Sequence, residues 1–243
     1  ISGVHANDAW YLKGGLTAPM ITDALVGRTV TDTGRIGKLM WLTLDDALLL
    51  GLRFGMTGRI VVDGSAPIGE LEYGPTRSNP EWDRFALSFR FSATTHGALV
   101  MSDPRRLGGV ELDPDLTKLG PDAATITTPQ LRAALGSTSS ALKSALLDQS
   151  RLAGVGNLIA DETLWRTGCD PRRAAKSLSA AEVAALASGL RRTIGVLTKR
   201  GGSHTGDLQS QRHRDGHCPR CAQRLTRLSI GGRTTYFCAS EQA

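Results

Sequence analysis

Cysteine is scarce, with four in 243 residues, and two of the four stand three positions apart. A disulfide scaffold is shorter and denser in cysteine, so this usage fits metal binding in a reducing compartment better. Cys169 stands alone and reads as a small packed thiol just after a helix end. No apolar run approaches the roughly 18 residues that cross a bilayer, and the first residues lack the basic and then apolar layout of a signal peptide. The expectation is a soluble, cytoplasmic chain without a membrane partner. Internal repeats and low-complexity tracts are also lacking, and 243 residues suit two ordinary domains better than one large core.

What is there is unevenly charged. Residues 1–122 hold 12 Lys and Arg against 15 Asp and Glu, whereas residues 123–243 hold 17 against 8. The first half is therefore −3 and the second +9, which points the second half at an anionic partner, nucleic acid first.

The first 112 residues read as strands separated by turns. Residues 38–44 and 47–53 flank Asp45 and Asp46, a hairpin turn, and residues 59–62 run into the turn pair Asp63 and Gly64. Phe85, Leu87, Phe89 and Phe91 alternate with Ala86, Ser88 and Arg90, the pattern of a half-buried antiparallel strand. Residues 113–126 carry proline, glycine and charge without periodicity and read as a connection. Helices follow. Thr128 is placed to cap one that begins at Pro129 and ends at Gly136; Ser139 or Ser140 starts another to about Asp148; Asn157 caps a third that ends at Gly168. Ser179 and Glu182 have capping-box spacing before an apolar stripe of Val183, Leu186, Ala187, Leu190, Ile194 and Leu197. A polar loop then leads from Gly201 to a short β-hairpin.

Two stretches carry chemistry. In LLDQSRLAGVGNLIADETLW a turn through Gly154 and Gly156 precedes a helix start at Asn157, where backbone N–H groups offer a phosphate site. In the last 26 residues Cys218 and Cys221 are followed after 16 residues by Cys238, and Glu241 stands where a second CxxC pair would put its cysteine. The spacing is that of a zinc ribbon, with Cys218, Cys221 and Cys238 as ligands to a structural Zn2+ and Glu241, His217 or His213 as a fourth. A metal-free hairpin held by packing is the alternative.

LLDQSRLAGVGNLIADE resembles the helix-two-turns-helix of the formamidopyrimidine-DNA glycosylase and endonuclease VIII family, enzymes of base-excision DNA repair. RIGK (35–38), FGMTG (54–58), DPRRLG (103–108) and GGRTTYFC (231–238) match the family in the same order, so the resemblance covers nearly the whole chain. It implies an α+β protein of two domains: an N-terminal antiparallel β-sandwich over residues 1–113, a linker over 114–127, a helix-two-turns-helix domain over 128–202, and a polar loop with a zinc-finger hairpin over 203–243. It further implies that Lys38, Asn157 and Arg233 bind DNA phosphates around a damaged nucleotide. Met56, Arg105 and Leu107 would fill the gap left when the nucleotide is extruded, with Leu107 where the family often has Phe. A lysine point charge, a helix start and a forked guanidinium suit phosphate, and an apolar wedge offsets the few kcal/mol, roughly, that extrusion costs.

The activity implied is removal of oxidised bases and strand cleavage through a Schiff base, on damaged or abasic duplex DNA, by a nucleoid-associated monomer. In that family a proline and a glutamate at the mature N-terminus are catalytic, acting as nucleophile and proton carrier. Here ISGVHANDAWYL matches the family's first strand, so neither residue is among these 243. DNA binding with little or no glycosylase or AP lyase activity is the expectation for these residues alone. A segment outside them, a misassigned gene start and a non-catalytic DNA-binding relative are the explanations. A zinc-ribbon interaction module on a helical domain is a third functional class, against which the wedge motifs speak.

Overall fold

A computed structural model describes residues 1–65 and 79–243. The chain divides into two compact units, Ile1–Leu116 and Thr117–Ala243.

The first unit is a β-sandwich. Strands β1 (Gly3–His5), β2 (Val30–Ile36), β3 (Leu39–Leu44), β4 (Leu49–Arg53), β5 (Arg59–Val62), β6 (Asp83–Arg90), β7 (His96–Ser102) and β8 (Gly109–Leu112) form two sheets, ordered β1-β6-β7-β5 and β2-β3-β4-β8. Every neighbouring pair is antiparallel. Alternation drives one face of each sheet inward. Phe85 and Leu87 of β6 and Met101 of β7 meet Leu42, Leu44, Leu50, Leu52 and Val110 of the other sheet in one core. The alternating stretch thus pairs as expected up to Phe89. Phe91 lies past the strand end, 68% exposed, stacked on Phe89 at 6.1 Å between ring centres.

Between β1 and β2 the chain forms a helix, α1 (Ala18–Leu25), that a strand-and-turn reading does not foresee. Thr17 caps it by accepting from Met20 N, and Pro19 lies in its first turn, where no N–H is missed. Only Ile21 and Leu25, one turn apart, are buried, too few for a visible helical period.

The second unit is helical and then β. It contains α2 (Thr128–Gly136), α3 (Leu142–Leu147), α4 (Asn157–Thr167), α5 (Ala180–Lys199), and a hairpin of β9 (Thr226–Ile230) and β10 (Arg233–Phe237). Three helix starts differ from the sequence reading. The cap of α2 is Thr127, which exchanges bonds with Gln130 in a capping box, so Thr128 is already helical. Neither Ser139 nor Ser140 caps α3; Ala141 precedes it without a side-chain bond. Gly156, extended at φ −110°, is the cap of α4, and Asn157 is its first residue. Gly168 ends α4 in the left-handed region at φ 70°.

The stripe on α5 faces the core as its period requires, with Val183, Leu186, Ala187, Leu190 and Leu197 buried and Ile194 partly so. In α4 the six consecutive residues Ala160, Asp161, Glu162, Thr163, Leu164 and Trp165 are all buried. A helix buried all round is the centre of its domain, and this one carries two acids inside it.

Ser179 and Glu182 form the expected capping box, and Glu182 also takes a forked pair from Arg173 at 2.5 and 3.2 Å. Arg173 first, and then the Ser179 N–H and hydroxyl, hold the Glu182 carboxyl down at about 2 against an ordinary 4.5. A folded value below the unfolded one gives stability that is complete above about pH 4.5 and lost as pH falls toward 2. Thermal midpoints of the wild type and Glu182→Gln should therefore differ at neutral pH and converge in acid.

Candidate functional site

In the first unit the four predicted site residues sit on two loops and one turn. Lys38 is exposed in the two-residue turn between β2 and β3, where Gly37 supplies a positive φ of 58°. Met56 stands on the loop between β4 and β5, 75% exposed; Leu107 stands on the loop between β7 and β8, 49% exposed, with Arg105 exposed beside it.

Asp103 does the fixing. Fully buried, it accepts from the Thr57 hydroxyl at 2.7 Å and the Arg105 N–H at 3.2 Å through Oδ1, and from the Gly108 N–H at 2.8 Å through Oδ2. One carboxylate thus binds both loops. The loops touch where Gly55 passes Leu107: a Cβ on Gly55 would lie 2.3 Å from Leu107 Cβ. A Cβ on Gly108 would lie 2.5 Å from both Arg53 O and the Tyr11 hydroxyl, so that position needs glycine. Arg106 turns through φ 55° and bonds Asp8 at 2.5 Å, whereas the Arg105 guanidinium has no protein partner among the described residues.

In the second unit Asn157 reaches β10 at one main-chain carbonyl, that of Thr234, the residue after Arg233. Asn157, released from capping, donates Nδ2 to Thr234 O at 3.1 Å. Lys143 Nζ at 3.2 Å and Arg212 Nη2 at 3.4 Å donate to the same oxygen. Below it lies a buried ion cluster: Lys143 Nζ is 2.6 Å from Asp161 Oδ1, with both side chains at 0% exposure, and Arg212 donates to Asp161 Oδ2 at 2.8 Å. The Tyr236 N–H also donates to Asp161 at 3.2 Å, and Lys143 donates to the Thr235 hydroxyl at 2.8 Å. Burial pushes the Lys143 ammonium down while Asp161 opposes it. This cluster locks β10 onto α3 and α4. Arg233, next along the strand from Thr234, is exposed at the hairpin turn, where Gly231 and Gly232 both have positive φ.

The neighbouring acid, Glu162, seats the loop after α5. It accepts from Arg166 at 2.8 Å and from the N–H groups of Asp207 and Leu208 at 3.0 and 2.9 Å. Sequence reading passed over Asp161, Glu162, Lys143, Arg212 and Asp103. Two acids in the middle of an otherwise apolar helix segment were the available signal, because such groups stay buried only when paired.

The cysteines gather as their spacing requires. The sulfurs of Cys218, Cys221 and Cys238 all lie within 4.8 Å of one another. Trp165 Nε1 donates to Cys218 Sγ at 3.3 Å. Burial pushes the Cys218 thiol up, but that bond and the N–H groups of Cys221 and Arg220 outweigh it and bring it to about 7. Donors of this kind favour thiolate at Cys218, the form that binds metal, whereas burial pushes the Cys238 thiol up to about 11. Glu241, His217 and His213 are not in the cluster; Glu241 instead faces Arg220 at 3.8 Å. Cys169 is buried and its thiol is pushed up by burial, a packed residue as expected.

Residues 1–110 match the model of the formamidopyrimidine-DNA glycosylase N-terminal domain, and residues 119–208 that of the formamidopyrimidine-DNA glycosylase H2TH domain. The chain is 32% identical over 244 residues to a formamidopyrimidine-DNA glycosylase of Paracoccus denitrificans, covering 90% of this chain and 85% of that one. It is 31% identical over 251 residues to that of Bordetella pertussis, covering 92% and 86%. Among solved structures it is similar to Lactococcus lactis Fpg in complex with a Fapy-dG containing DNA, with TM-score 0.78 and 23% identity over 100% of this chain and 92% of that one. A complex of the same Lactococcus protein with DNA containing an abasic site gives TM-score 0.78 at 22% identity over the same shares. The chain belongs to the formamidopyrimidine-DNA glycosylase family.

Asp161→Asn leaves two cations around a neutral amide, one of them buried. It should lower the free energy of unfolding in urea by about 3–5 kcal/mol. Asp103→Ala strips three donors of their acceptor and should cost about 2–4 kcal/mol, with faster hydrogen exchange at the Gly108 amide as its local mark.

Proposed function

We propose that this chain binds duplex DNA carrying a damaged base or an abasic site, and that it serves the removal of oxidised bases. The observation that supports the reading is the bond from Asn157 Nδ2 to the Thr234 carbonyl, which ties the start of α4 to the strand on which Arg233 is the preceding, exposed residue. A helix start and an exposed guanidinium are thereby carried on two elements bonded to each other, an arrangement suited to phosphates of one strand. Lys38, on its tight turn, is the third phosphate contact in this reading. Met56, Leu107 and Arg105 fill the space of the extruded nucleotide: two exposed apolar side chains and an exposed cation on loops that Asp103 ties together. The relatives are named for glycosylase activity on formamidopyrimidine bases, and the Lactococcus structures hold Fapy-dG or abasic DNA.

Zinc belongs to the same reading. Three sulfurs and the N–H groups directed at them suit a thiophilic divalent ion, which Cys218, Cys221 and Cys238 would hold. Its task there is structural: it ties the hairpin that carries Arg233. None of the 243 residues is assigned the role of nucleophile. The Schiff-base step of base removal is proposed for the chain preceded by the family's Pro-Glu helix.

Filter binding to abasic-site and intact duplexes across a salt series tests the reading. Abasic DNA should be preferred, and Arg233→Ala should weaken binding about tenfold and reduce the salt slope by about one. Binding that ignores both Arg233→Ala and Asn157→Ala would sink the reading. Borohydride should trap a covalent adduct with abasic DNA only when the Pro-Glu helix is joined to the chain.

A further inference from the structure

The cysteine hairpin contains two complete metal-binding turns and only three sulfurs. At the first turn the N–H groups of Cys221 and Arg220 face Cys218; at the second those of Ser240 and Glu241 face Cys238. The two turns also close alike, with the Ala222 N–H on Cys218 O at 2.9 Å and the Gln242 N–H on Cys238 O at 3.0 Å, and Glu241 stands in the second where Cys221 stands in the first. Its side chain, however, goes to Arg220, at 3.8 Å.

Arg220 is not free to follow it. Its guanidinium lies 4.2 Å over the Trp165 ring and donates to Trp165 O at 3.0 Å and Arg166 O at 3.2 Å, at the carbonyl end of α4 where a cation is favoured. Trp165 in turn donates to Cys218. Arg220 thus fastens the first turn to the helix and reaches the second through its 3.8 Å approach to Glu241.

We propose that the cluster binds a zinc-class divalent ion through Cys218, Cys221 and Cys238 alone, with the fourth coordination position left open to a small neutral ligand because Arg220 retains Glu241. This rests on reading the cluster as a metal site. The Arg220–Glu241 pair is partly exposed and weak by itself. Charge decides the outcome. A divalent ion on three thiolates carries −1; a carboxylate would make it −2 and strip Arg220 of its partner, whereas water or an imidazole leaves −1. Sites with three protein ligands are the ones that exchange the fourth.

Cobalt(II) added to the reduced, metal-free full chain reads the ligand set by absorption. Sulfur-to-cobalt charge-transfer bands should appear, and imidazole should shift the d–d bands. Glu241→Gln should change neither the spectrum nor the shift. Glu241→Cys should abolish the shift and raise zinc affinity about tenfold or more in chelator competition. Arg220→Ala frees the carboxylate and should also abolish the shift. A wild-type spectrum deaf to imidazole but altered by Glu241→Gln would overturn the proposal, with Glu241 as the ligand. No cobalt uptake at all would instead remove the metal reading beneath it, and duplex binding by that same metal-free sample would show the DNA reading standing without it.

Discussion

The ion pair between Lys143 and Asp161 is the constraint on which the second unit turns. Both side chains are withdrawn from water, and each charge is tolerable only because the other is there. Their pairing forces α3 and α4 into one geometry, and Asp161 then receives Arg212 from the loop and the Tyr236 N–H from β10. A hairpin that would be marginal alone is thus registered against two helices. Asn157 bonds the strand at Thr234, beside exposed Arg233 in sequence, above what is buried there.

The first unit solves a like problem with one carboxylate. Its sandwich core places two loops side by side, but packing alone does not hold loop tips. Asp103 does so by taking donors from both. Met56 and Leu107 can then remain in water without collapsing onto the surface, since the backbone beneath them has no freedom to fold them in. In both units a buried acid orders the main chain, and the residues offered to a ligand are the ones it leaves outside.

Much of this was legible. The two-domain α+β plan, the hairpin around Asp45 and Asp46, the capping box at Ser179 and the stripe of α5 follow from period and cap chemistry. The family followed from ordered motifs, and the cysteine cluster from spacing. What escaped has a physical pattern. Helix α1 buries two side chains and shows no period. Asn157 reads as a cap because asparagine is a good one, yet Gly156 takes that place and leaves the amide for Thr234. Lys143 and Asp161 are 18 positions apart, and nothing local marks them as partners. Glu241 stands at a ligand's offset while its side chain obeys an arginine in the other turn.

The Thr234 carbonyl, which accepts from Asn157, Lys143 and Arg212, belongs to the main chain. Any residue at 234 would present the same oxygen, so side-chain scanning passes over an acceptor that three side chains share. Selection on sequence is equally blind to it. The position can drift in identity while its function stays constant, and only a change in the strand's register or in the length of the Gly231–Gly232 turn would move it.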